Sequence, residues 1–185
     1  VGATVFMSKS GDYFNFFRKS VLTVADDDPI EVYADGSEGD TITCSVQLDR
    51  NLLLFGKRQQ YAVPGREAMT PRNAYIAIQS AHDDAIDAPP VASGNLIFFS
   101  QQRSNRLTVH QMMTGAYADS FESFDVTQQL DGYMTGTPRQ IVAMTAPTQL
   151  FIRTKELTNG VYVFSYLDSL GSEQRLFDSW SRWTW

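Results

Sequence analysis

Short apolar runs broken by turn residues set the pattern of the whole chain. Valine, isoleucine, threonine and aromatic residues fill the runs, and 3.6-residue periodicity is almost absent, so the expected elements are short β-strands. The strands come in pairs of one plan. "NLLLFGKRQQYAV" (51–63) reads as strand, turn, strand, and "GNLIFFSQQRSNRLTVHQM" (94–112) repeats it around Ser104-Asn105. "TQLFIRTKELTNGVYVFSY" (148–166) has Asn159-Gly160 at its turn, a pair suited to the positive φ of a tight hairpin. "ATVFMSKSGDYFNFF" (3–17) reads as a fourth hairpin, turning at Gly11-Asp12. One segment favours a helix: in "SFESFDVTQQLDGY" (120–133), Phe121, Phe124 and Leu130 could share a face.

Leu52, Leu96 and Leu150 open three of the hairpins, 44 residues (52 to 96) and 54 residues (96 to 150) apart. That interval is close to one propeller blade, about 40–50 residues per four strands. The expected fold is all-β, with blades of four antiparallel strands forming an incomplete β-propeller, residues 1–185 making one propeller-like segment. The blade-like units fall at about 1–36, 41–80, 86–135 and 139–185. The last unit is the clearest, with strands at 139–145, 149–154, 161–167 and 174–183. Stacked blades bury both faces of their inner strands, which explains the unbroken runs "LLLF" and "LIFF". The alternative architecture is a β-sandwich, which shows turn signals every 8–12 residues without the longer repeat.

Composition narrows the function. The 185 residues are 43% hydrophobic and only 19% charged, which suits a packed core and a surface partly turned toward other protein. The net charge of -6 disfavours a protein that grips nucleic acid through phosphates. A single cysteine, Cys44, allows no internal disulfide; in the alternating run "TITCSVQL" it is expected to be a buried apolar filler. No apolar run approaches the length of a membrane-spanning helix, and no signal peptide is visible. The chain opens strand-like without an initiator methionine and ends in the Trp-rich "DSWSRWTW", so it reads as a segment of a longer polypeptide.

Two acidic clusters are the candidate chemistry. In "VLTVADDDPIEVYADG" (21–36), Asp26, Asp27 and Asp28 are consecutive, with Glu31 and Asp35 nearby. A calcium loop places its oxygens at alternating positions, whereas three neighbouring aspartates point apart on an extended chain. Pro29 holds Asp28 extended, so the run reads as a solvated loop entering a strand. In "SAHDDAIDAPP" (80–90), His82, Asp83, Asp84 and Asp87 could form a metal or acid–base site, but the chain has only one other histidine, His110. A polar connection between blades is the stronger reading. Arg50, Lys57, Arg58, Arg66 and Arg72 form the densest basic group and read as rim or ion-pairing residues. No nucleophile elbow, phosphate loop or dinucleotide fingerprint is present, and the aromatics read as core. No catalytic, cofactor-binding or metal residue is assigned.

Six phrases in order carry a family resemblance: "VFMSKSGDYFNFF", "SVLTVADDDPIEV", "DRNLLLFGKRQQYAV", "MTPRNAYI", "PVASGNLIFFS" and "FDVTQQLDGYMTG". The set resembles the tail nozzle proteins, also called tail tubular protein B, of short-tailed bacteriophages, over roughly residues 5 to 185. The resemblance implies a structural virion protein at the tail tip, not an enzyme, with no cofactor and no catalytic residue to carry over. It implies a homo-hexameric tube containing a propeller-like domain, below a ring of tail adaptor (tail tubular protein A). It also implies nearby tail fibres or spikes, contact with the host envelope at infection, and genomic DNA passing through the lumen without specific binding. In such a conduit the negative balance would avoid holding phosphates back. "DDDPIEV" then reads as a structural connection.

Two other functions compete with this one. A propeller recognising a host glycan or protein would cluster exposed aromatics on one face. A glycan-degrading propeller would need two carboxylates about 5–5.5 Å apart in a cleft, for which Asp83 and Asp84 are the candidates.

Overall fold

A computed structural model describes residues 4–34, 36, 39–65, 67–82, 88–117, 120–169 and 175–185. Among these residues every regular element is a β-strand, and the chain divides into two compact units, Val1–Ala81 and His82–Trp185. All twelve strands of the three main sheets run antiparallel in simple up-and-down order.

The first unit opens with β1 (Thr4–Met7) and β2 (Ile30–Tyr33), paired as a two-stranded ribbon with Met7 opposite Ile30 and Thr4 opposite Tyr33. Its four-stranded sheet runs β3 (Ile42–Leu48), β4 (Asn51–Gly56), β5 (Gln60–Val63) and β6 (Ala77–Ser80). The ribbon's Ile30 and Val32 pack on Leu54, Tyr61, Val63 and Ile76, with Val5 and Met7 flanking them. The expected hairpin over 3–17 does not form. Gly11, at φ 78°, turns the chain, but the pairing across it stops at a Lys9–Asp12 bridge and a Lys9 N–H bond to the Asn15 carbonyl, and β1 instead takes its partner from residues 30–33. The reason lies in burial: Ile30 and Val32 alternate inward and reach the core, whereas 13–17 present aromatics on consecutive positions that one strand face cannot bury.

The second unit holds two such sheets. One contains β7 (Val91–Ser93), β8 (Leu96–Arg103), β9 (Arg106–Thr114) and β10 (Phe121–Asp125); the other contains β11 (Pro138–Thr145), β12 (Thr148–Thr154), β13 (Gly160–Asp168) and β14 (Arg175–Thr184). They pack through Phe98, Leu107 and Val109 on one side and Leu150, Ile152, Tyr162 and Phe164 on the other. Each such side chain contributes about 1.5–3 kcal/mol on burial. β11 runs beside β7 and β8. β8 and β9 are buried on both faces, and β14, the outer strand, is mostly exposed.

Two local expectations are corrected. Residues 120–133 contain no helix: β10 covers the first half and turns the second. The backbone N–H and hydroxyl of Thr127 donate to Asp125 Oδ1, and Thr127 Oγ1 accepts from the Val109 N–H at 3.2 Å. These side chains offer the backbone local partners that compete with helical bonding. The 148–166 hairpin does not turn on Asn159-Gly160 either. Gly160 is the first residue of β13, without a positive φ, and 155–159 make a wider loop in which Thr154 Oγ1 accepts from the Leu157 N–H. The tight turns lie elsewhere, with left-handed residues at Asp49 (φ 53°), Gly94 (φ 61°) and Ser104 (φ 55°).

Candidate functional site

The acidic run separates into individual anchors. Asp28 is 3% exposed, so it departs from the expected solvated loop. Its carboxylate accepts from the Ala25 N–H at 2.9 Å and the Lys19 N–H at 3.4 Å. Asp27 pairs with Lys9 Nζ at 3.1 Å, and that lysine holds its carboxyl below the usual range. Asp26 faces Arg72 Nε at 3.9 Å, while Arg72 also donates to the Val24 carbonyl at 2.9 Å. Glu31 is exposed on β2. The three aspartates therefore do not converge: Asp27 ties the end of the connection to its start at Lys9, Asp28 anchors backbone within it, and Asp26 reaches Arg72 outside it. Asp35 lies outside the described residues.

His82 and His110, far apart in sequence, meet. Their ring centroids are 4.2 Å apart, and His110 stacks on Phe99 at 5.2 Å and 15°. His82 Nε2 is hydrogen-bonded to Ser123 Oγ at 2.9 Å. Burial, reinforced by His82, pulls the pKa of His110 down to about 4; burial, then Arg103, lowers that of His82. This is a neutral aromatic stack. Asp83, Asp84 and Asp87 lie outside the described residues. Among the described residues no group of three or more His, Cys, Asp or Glu side chains could hold a metal ion.

Cys44 is half-buried rather than fully enclosed, because β3 begins its sheet and covers only one face; burial raises its thiol pKa. The basic group does not form one groove. Arg50 sits in the β3–β4 turn, Lys57 and Arg58 in the β4–β5 turn at the other end of β4, and Arg72 on the clamp; Arg66 lies outside the described residues. A polar node absent from the sequence reading is Asp40. It is 2% exposed and accepts from the N–H groups of Thr41, Arg58 and Gln59 and from the Tyr61 hydroxyl at 2.7 Å.

In the second unit a cleft of ≈ 470 Å³ opens between β8–β10 and β13–β14, lined by Leu96, Gln111, Met113, Phe124, Arg175 and Asp178 among others. Arg175 fills its wall: it pairs with Asp168, donates to Gln111 Oε1 at 2.6 Å and lies 4.6 Å over the Tyr166 ring. Trp180 donates to the Val126 carbonyl at 3.0 Å. These β14 side chains tie the two sheets together, which is a structural role.

The feature with most unspent chemistry is the β1–β2 connection. Its base is held by the aspartate clamp, but its tip exposes Tyr13 (81%), Phe14 (94%), Phe17 (82%), Val21 (103%) and Leu22 (95%). Sequence composition places these aromatics in the core, and the structure does not. Their consecutive placement, against strand alternation, is the signal that could have marked them. A groove of ≈ 490 Å³ in the same unit is lined by Glu31, Tyr33, Tyr75 and Ile78, with Val32, Ala74 and Ile76 behind them.

Comparison with known proteins supplies the context that no side-chain cluster does. One curated relative is the tail tubular protein gp12 of Escherichia phage T7, 22% identical over 183 residues. The alignment covers 98% of this chain and 23% of that protein, so the chain spans about a quarter of the relative's length. The family model of the bacteriophage nozzle protein matches residues 1–185. The chain therefore belongs to the bacteriophage nozzle protein family and is a structural component of the virion tail.

Proposed function

We propose that this chain is part of the subunit of a phage tail nozzle, a tube that works by assembly and serves as the conduit for DNA ejection. The family match along all 185 residues carries this reading. The nozzle is a homo-hexamer at the tail tip, docked below a ring of tail adaptor (tail tubular protein A). Tail fibres or spikes attach near that junction, and the open end meets the host envelope. The protein acts without catalysis and without a cofactor. We further propose that residues 1–185 form one β-propeller-like segment, with blade-like units at about 1–36, 41–80, 86–135 and 139–185.

Negative-stain imaging of the full-length protein tests the reading. Six-fold rings with a central opening are expected; a population of monomers at micromolar concentration would overturn it.

A further inference from the structure

Resting on the ring reading above, we infer that the β1–β2 connection is a docking arm for a second copy of this chain, and that its receptor is the groove between β2 and β6. The arm and the groove are different surfaces of one unit. The arm leaves the ribbon at the Met7–Ile30 end, whereas the groove is walled by Glu31 and Tyr33 of β2 and by Tyr75 and Ile78. An arm and a receptor on different surfaces of one copy make a heterologous, head-to-tail contact, the kind that closes into a ring.

The chemistry of the two surfaces matches. The arm's tip is aromatic and aliphatic, and large apolar side chains exposed together in one segment point to an interaction site. Aromatic residues and arginine are the side chains enriched at protein interfaces, and the arm carries Arg18 between Phe17 and Lys19. The groove offers the exposed rings of Tyr33 (67%) and Tyr75 (51%), the exposed Ile78 (43%) and the carboxylate of Glu31. Charge separates this partner from a lipid surface. Residues 13–25 hold Arg18 and Lys19 and no acid, a local +2, so the remainder of a chain of net -6 carries -8. A second copy therefore presents the arm with opposite charge, whereas an anionic bilayer would repel everything but the arm.

The test uses the full-length protein and reads its oligomeric state by sedimentation velocity. Phe14→Ser with Phe17→Ser, both exposed, is expected to leave the far-UV spectrum unchanged and to raise the concentration for half-assembly about tenfold or more. Arg18→Glu with Lys19→Glu is expected to weaken assembly similarly, and adding Glu31→Lys to restore it in part. Rings that form unchanged in both arm variants overturn the inference while leaving the ring itself standing. A wild-type protein that stays monomeric overturns the ring, and the arm with it. Flotation with phosphatidylglycerol vesicles covers the lipid alternative: no co-flotation is expected, and co-flotation lost in the Phe14/Phe17 variant with rings intact would replace the protein partner by a membrane.

Discussion

At the scale of single residues, the most consequential group is a carboxylate that does no chemistry. Asp40 gathers three backbone N–H groups and the Tyr61 hydroxyl in a site where it is 2% exposed. Asp40→Ala would strand those donors, and a cost of about 3–5 kcal/mol is expected in urea unfolding. Asp40→Asn keeps one acceptor oxygen and should cost less. Gly56 belongs to the same node, since an added Cβ there would lie 2.3 Å from Asp40 Oδ2. The histidine stack gives a pH prediction. His110 has an ordinary value of 6.5 and a folded value of about 4, so the unfolded chain binds more protons between them. Its contribution to stability is complete above pH 6.5 and is lost as pH falls toward 4, an upper bound of roughly 3 kcal/mol. Denaturant midpoints measured from pH 7 to 4 should fall more in the wild type than in His110→Phe. None of this was legible from sequence, because Asp40's donors and the histidine pair become neighbours only through strand pairing.

At the scale of elements, strand positions were largely legible and turns only in part: the Ser104-Asn105 turn lies where the sequence placed it. The runs at 139–145, 149–154 and 161–167 each fall within an observed strand, because apolar β-branched runs bounded by turn residues leave little choice of structure. Turn chemistry misled at Asn159-Gly160, where a favourable dipeptide was overruled by the pairing of Gly160 with Thr184. At Ser104 the reverse occurs: a residue with a Cβ sits at φ 55° because the β8–β9 register, with Arg103 opposite Arg106, leaves two residues to reverse the chain. Ser104→Val should therefore cost about 1–2 kcal/mol, while Ser104→Gly should be tolerated within about 0.5 kcal/mol. Equal urea midpoints for the two variants would remove the role assigned to that backbone angle. The helix expected over 120–133 failed for a related reason: Phe121 is drawn inward opposite Thr114, and the Asp125–Thr127 bonds end any helical continuation.

At the scale of the whole molecule, acidic balance shapes the expected encounter with DNA. For the conduit proposed above, the net charge of -6 on these 185 residues argues against a grip on phosphates, so a gel-shift assay with the full-length protein at low salt is expected to show no retarded band. A band that fades as salt rises would point to basic groups along the DNA path. The sequence by itself determined the all-β class, because short apolar runs bounded by turn residues are written locally, and the family, because six ordered phrases resemble its members. Tertiary structure alone decided which strand β1 pairs with, that Asp26–Asp28 serve as separate clamps, and that the aromatics at 13–17 stand in solvent. The physical reason is competition. Each apolar segment is equally oily in isolation, and only the limited area of a finished sheet face settles which of them is buried and which is left for a partner.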